Sequence, residues 1–168
     1  MGLFDFLKSA GKKLHLTHEA PPEAPPATAT PEQLQAVKEA AERNRAAALA
    51  KLVADMGLAI DELGVRVDDD LVTVTGAAPS QEVREKVVLI LGNVDGIAKV
   101  DDQMTVANPE PAATFYTVVS GDNLSHIAKR FYGNANLYPK IFEANRPMLK
   151  DPDEIYPGQV LRIPDANA

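Results

Sequence analysis

Cysteine and tryptophan are both absent from this sequence. Without cysteine there is no disulfide staple, no thiolate metal site and no thiol nucleophile, which removes redox chemistry and fits a reducing compartment. Aromatic residues are only 5% of the chain, so any core has to be assembled from Val, Leu, Ile and Ala. Histidine occurs three times, as His15, His18 and His126, and no pair has the spacing, backed by carboxylates, that a zinc enzyme needs. Ser125 and His126 are neighbours in the chain, whereas a nucleophile and its base must face each other across a pocket. Neither of the glycine-rich phosphate-binding spacings occurs, and no run approaches the roughly 20 apolar residues that span a bilayer. These absences point to a binding protein and not to an enzyme.

What is present is a chain of 168 residues, 45% of them hydrophobic, enough for one medium core or two small ones. The net charge of −7 is unevenly placed: residues 32–106 hold 14 acids against 8 bases, while residues 114–168 balance at 6 and 6. An acidic middle repels phosphate backbones and anionic headgroups, so neither nucleic acid nor a membrane is an expected partner, whereas a cation is tolerated. The start, Met1-Gly2-Leu3-Phe4-Asp5-Phe6-Leu7-Lys8-Ser9-Ala10-Gly11, interrupts its apolar residues with an acid and a base and lacks the order of a signal peptide. The cytoplasm is the expected location.

Read for organisation, the chain divides into five parts. Leu3, Phe4, Phe6, Leu7, Ala10 and Leu14 lie near helical spacing, which predicts an N-terminal helical docking segment over residues 1–16, with Gly11 as a left-handed cap. Such a segment is too short to be stable alone. Residues 17–31 form a Pro- and Ala-rich linker. Thr30-Pro31-Glu32-Gln33 has the capping-box pattern that starts a helix; Leu34, Val37, Ala41, Ala48, Leu52 and Met56 follow along one face, and Gly57 supplies a stop. Leu63, Val65 and Val67, then Val72 and Val74, alternate around Asp68-Asp69-Asp70 as a β-hairpin does. Pro79-Ser80 opens a second helix with Val83, Val87, Ile90 and Leu91 inward and Gly92 at its end. A strand through Ala98, Val100, Met104 and Val106 closes an α-β-β-α-β unit over residues 32–107. A linker, residues 108–113, leads to a β-α-α-β unit over residues 114–168. The expected fold class is α+β, two small domains.

The second unit, through Tyr116-Thr117-Val118-Val119-Ser120-Gly121-Asp122-Asn123-Leu124-Ser125-His126-Ile127-Ala128, Ile141-Phe142-Glu143-Ala144-Asn145 and Ile155-Tyr156-Pro157-Gly158-Gln159-Val160-Leu161-Arg162-Ile163-Pro164, closely resembles a LysM domain. The first, through Val72-Thr73-Val74-Thr75-Gly76 and Gly96-Ile97-Ala98-Lys99-Val100-Asp101-Asp102, resembles a BON domain. With the Met-Gly-Leu-Phe start, the whole resembles the cytoplasmic potassium-binding protein family. That resemblance implies a cytoplasmic protein, expected as a monomer, that binds potassium selectively, changes conformation on doing so, and serves as a sensor or buffer in osmotic or ionic stress.

Potassium is large and weakly hydrated, and a site for it can be built from main-chain carbonyls. Helix C-termini supply such carbonyls, with up to four unpaired acceptors and about half a negative charge from the macrodipole. Two glycine-ended helices are predicted, at Ala10-Gly11 and at Leu91-Gly92; capping alone accounts for both glycines, and the family resemblance is what turns them toward an ion. The expected ligands are the carbonyls of Leu7, Ala10, Gly92, Val94 and Ile97. Asp68-Asp69-Asp70 and Asp101-Asp102 lack the spacing of a calcium loop and read as solvated turns. The LysM resemblance implies an alternative function, binding of N-acetylglucosamine polymers such as peptidoglycan, through Gly121, Asp122, Asn123 and Leu124 on one side of a groove and Ile155, Tyr156 and Pro157 on the other. The same residues have structural uses as cap and turn residues. The LysM face is also where an unidentified protein partner would bind.

Overall fold

The computed structural model describes residues 2–6 and 27–166. A strand β1 (Gly2–Asp5) is followed by α1 (Pro31–Asp55), β2 (Asp61–Asp68), β3 (Leu71–Ala78), α2 (Gln81–Gly92) and β4 (Lys99–Val106). Beyond a connection come β5 (Thr114–Thr117), α3 (Leu124–Tyr132), a short 3-10 turn, α4 (Tyr138–Ala144) and β6 (Val160–Ile163). The expected α-β-β-α-β and β-α-α-β orders are both present, and the fold class is α+β.

Local chemistry accounts for the element ends. Thr30 and Gln33 exchange the two hydrogen bonds of a capping box, Gln33 N–H to the Thr30 hydroxyl at 3.3 Å and Thr30 N–H to the Gln33 side chain at 2.8 Å. At the other end Gly57 takes φ +73, with Gly57 N–H on Ala54 C=O and Leu58 N–H on Val53 C=O, the paired bonds of a glycine-capped helix. The predicted stripe of α1 is only half correct. Of its members Ala48 is buried and Leu52 and Met56 pack partly buried on the core, while Leu34 is 47% exposed; the fully buried residues, Leu49 and Val53, lie beside the predicted stripe. The helix has 25 residues and is about 37 Å long at 1.5 Å per residue. The eight-residue strands beneath it reach only about 27 Å. Its first turns therefore extend past the hairpin tip, where Lys38 pairs with Asp69 at 3.1 Å, and Leu34 has no core to meet.

The first sheet has the order β1-β4-β3-β2. β2 and β3 form the expected hairpin, and β3 and β4 run parallel, which requires the crossover that α2 provides. Asp69-Asp70 is the hairpin turn, and Asp102 is buried on Arg84 at 2.7 Å; among the described residues no acidic or histidine cluster suited to a metal ion occurs. The second sheet is the pair β5-β6.

The N-terminus departs from expectation. Gly2–Asp5 is a strand, antiparallel to β4 with Gly2 opposite Asp102 and Asp5 opposite Lys99, where the apolar spacing predicts helix. Alternation decides it: Phe4 turns inward and Leu3 is 58% exposed, the period-two pattern of a strand, and the open edge of β4 offers main-chain partners that a short isolated helix lacks. Phe6 continues the pairing, its N–H donating to Ala98 C=O at 2.7 Å. The rest of the predicted helix, with Leu7, Ala10 and Gly11, lies outside the described residues, as do His15 and His18. Gly92 is likewise no left-handed cap. The cap residue after it, Asn93, sits at φ −85, and a Cβ on Gly92 would run into the Phe6 ring, so glycine is needed there for space. Replacing Gly92 by Ala is expected to expel Phe6 and cost about 1–3 kcal/mol. Amide exchange will show it as lost protection at Phe6 with the β2–β3 hairpin unaffected; unchanged protection at Phe6 would mean the ring does not depend on that gap.

Candidate functional site

Helix α2 is wrapped on more than one face. Val87, Val88, Leu89, Ile90 and Leu91 are all at most 1% exposed, because the first sheet covers one side and β6 lies against another. The seam between the two units is polar at its centre. Asn93, which no solvent reaches, donates from its side-chain amide to Leu89 C=O and Val160 C=O, each at 2.9 Å, and accepts Val160 N–H at 3.0 Å. Asn145 repeats the arrangement at the end of α4, with Ile141 C=O, Arg162 C=O and Arg162 N–H, each at 2.7 Å. Successive residues of a strand point their main-chain groups to opposite edges. Val160 and Arg162 therefore share one edge of β6, and two asparagine amides close it. Beside them Glu85 takes Arg162 Nε at 2.6 Å, Gln81 at 2.9 Å and Ala113 N–H at 3.0 Å, so the one buried carboxylate bridging the units has donors on both oxygens.

Asn93 also begins the loop that holds two of the expected ligands, Val94 and Ile97, and follows a third, Gly92, at the end of α2. Gly92 is buried, and Val94 and Ile97 are at most 1% exposed; their side chains anchor the backbone in the core at the negative end of α2. Ile97 N–H donates to Val94 C=O at 3.2 Å, which leaves that carbonyl a second lone pair. The strand β1 delivers the chain to this place: Phe6 touches Gly92, and Phe4 packs on Phe115 of β5 at 5.2 Å between ring centroids. The N-terminal segment thus contacts both units. Leu7 and Ala10, the other two expected ligands, lie outside the described residues.

Val118 bonds to Gln159 and Gly158 across the end of β5, which brings the chain shortly before Gly121 to the chain just after Pro157. Most residues of the expected glycan groove have local work. Asn123 caps α3 by accepting His126 N–H at 2.8 Å, Gly121 takes φ +89, and Leu124 is 2% exposed. The Asp122 carboxylate accepts Tyr116 hydroxyl at 2.7 Å and Val119 N–H at 3.0 Å, a contact that raises the Tyr116 pKa. Ile155 packs on the core and Pro157 is exposed. The Tyr156 hydroxyl is buried with no hydrogen-bond partner among the described residues, and burial pushes its pKa up to about 12. Sequence reading missed Asn93, Asn145, Glu85 and Arg45. The only signal for the first two was an asparagine four residues after a buried Leu or Ile at a helix end.

A sheet-and-helix unit of α-β-β-α-β order, joined through α2 to a β-α-α-β unit, defines the class: a BON domain followed by a LysM domain. The BON domain model matches residues 40–108 and the LysM domain model residues 116–164. The chain is 47% identical over 167 residues to the potassium binding protein Kbp of Escherichia coli, covering 98% of this chain and 99% of that one, and it belongs to that protein's family. Shorter likenesses join it to an esterase of Mycobacterium tuberculosis, 55% identical over 53 residues that make up 32% of this chain and 11% of the esterase. An uncharacterized protein of Deinococcus radiodurans is 51% identical over 51 residues, 30% of this chain and 19% of that protein. Among the described residues no helix is long and apolar enough to cross a membrane.

Two outcomes follow. Asn93→Ala leaves the Val160 N–H and C=O buried without partners and is expected to cost about 2–5 kcal/mol, seen in urea as earlier loss of the β5–β6 unit than of the first sheet. Coincident loss of both units would place the coupling elsewhere. For Tyr156, the raised folded pKa means that its contribution is intact below about pH 10, the unfolded value, and drains away as pH rises through about 12. A spectrophotometric titration should show one tyrosine ionising after the others, and normal ionisation of all four tyrosines would contradict the burial.

Proposed function

We propose that this protein is a cytoplasmic, monomeric, non-enzymatic binder of potassium, with the ion held by the main-chain carbonyls of Leu7, Ala10, Gly92, Val94 and Ile97. The observation that carries the reading is the seat of Phe6 against Gly92, which leads the N-terminal segment directly to the end of α2. Carbonyl oxygens at a helix C-terminus have the modest field strength suited to a large monovalent ion. The family relation to a protein named for potassium binding supports the same ion. An ion that binds only the docked form stabilises it by RT ln(1 + [L]/Kd), about 2.7 kcal/mol at a hundredfold excess over Kd. Cytoplasmic potassium would then set how firmly the segment is held to both domains, a conformational change that serves sensing or buffering in osmotic or ionic stress. Binding of N-acetylglucosamine polymers through the LysM groove is the rival, with Gly121, Asn123 and Pro157 exposed along it.

Thermal melts and two-dimensional amide spectra in KCl, NaCl and choline chloride at matched ionic strength test the reading. The expected result is stabilisation by KCl alone, with shifts clustered around residues 4–11 and 92–97. Equal behaviour in the three salts removes the potassium site, and spectral changes along residues 121–124 and 155–157 with a muropeptide would put the LysM groove in its place.

A further inference from the structure

The turn after α2 is held from outside by a side chain of α1. Val94-Asp95-Gly96-Ile97 closes with Ile97 N–H on Val94 C=O at 3.2 Å, and Gly96 takes φ +83, the signature of a type II turn. Types I and II differ mainly in the central peptide, which rotates by well over a right angle between them and sends its carbonyl to opposite sides. The central carbonyl here is that of Asp95. Arg45 donates to it from Nη2 at 2.6 Å, and a Cβ built on Gly96 would lie 2.8 Å from Nη2 and 3.4 Å from Nη1. The guanidinium therefore lies against the turn it bonds.

We propose that Arg45 is the positioning residue of the ion loop, a built-in cation that keeps the Asp95 carbonyl on the α1 side and out of the coordination shell. Resting on the proposed potassium site, this assigns the residue that sets its preference among monovalent ions. A loop free to flip could turn the Asp95 oxygen toward the ion, and a shell that recruits an extra oxygen can contract around a smaller cation such as sodium. A loop locked by Arg45 keeps a fixed, wider arrangement. The lock includes the charge-assisted hydrogen bond to the Asp95 carbonyl and needs the absence of a side chain at Gly96.

The experiment compares the full-length protein with Arg45→Gln, Arg45→Lys and Gly96→Ala. In choline chloride, amide exchange at Ile97 reads the turn directly. In KCl and NaCl titrations, the ratio of half-saturating NaCl to KCl reads preference. Arg45→Gln is expected to speed Ile97 exchange and to lower the ratio roughly tenfold, the scale set by losing one charge-assisted hydrogen bond. Arg45→Lys, which still donates to Asp95, recovers most of the ratio, and Gly96→Ala loosens the turn without touching the charge. Wild-type exchange at Ile97 in Arg45→Gln overturns the positioning role; faster exchange with an unchanged ratio overturns the role in preference. Should the unaltered protein show no potassium response at all, the proposed site fails, while the Ile97 measurement in choline chloride still decides whether Arg45 holds the loop. If Arg45→Gln loses protection throughout β3, Gly96→Ala supplies both readings.

Discussion

A two-stranded sheet has two open edges, and burying one of them demands a partner for each main-chain group on it. β6 meets that demand with two asparagine amides, one from its own domain and one from the other. Because Asn93 is also the cap of α2, the same amide that completes the LysM edge fixes where the BON helix stops. The domains are thereby set in register by hydrogen-bond geometry and not only by apolar contact. An unpaired N–H and C=O in a dry seam would cost more than the seam's apolar area easily returns. The Glu85–Arg162 pair, with side chains only 5% and 12% exposed, adds a charge requirement: pulled apart, it would leave a buried carboxylate facing a gap.

The same arrangement holds the loop after α2 in place from several sides. Its start is pinned by Asn93, its apolar side chains are sunk in the core, and its middle is tied to α1 through Arg45. Phe4 and Phe6 bring the N-terminus to the same neighbourhood from the opposite direction, one against β5 and one against Gly92.

The domain order and most element ends were legible because they rest on local chemistry. The Thr30 capping box, the glycine stop at Gly57 and the alternation around Val72 and Val74 each involve residues a few positions apart. What was not legible depends on distant chain. A four-residue strand shows the same apolar spacing as the first turn of a helix, and only the edge of β4, about a hundred residues away, decides between them. Gly92 looks like a cap until the Phe6 ring is placed over it. Asn93 and Arg45 carry no motif at all, since their partners are main-chain atoms of Val160 and Asp95, and main-chain atoms leave no trace in a sequence. The same holds for carbonyl ligands, which is why the proposed ion loop rests on resemblance and glycines and not on ligand-type side chains.

The placement of β1 has a consequence for how the molecule is made. It leaves the ribosome before the other strands of its sheet, yet its partner β4 spans Lys99–Val106 and its aromatic neighbour Phe115 comes later still. At synthesis rates of about 5–20 residues per second, the strand waits several seconds or more for an edge to join. The residues of the hairpin β2–β3 and helix α2 are all synthesised before then, so the strand made earliest in this sheet cannot join it until β4 has followed.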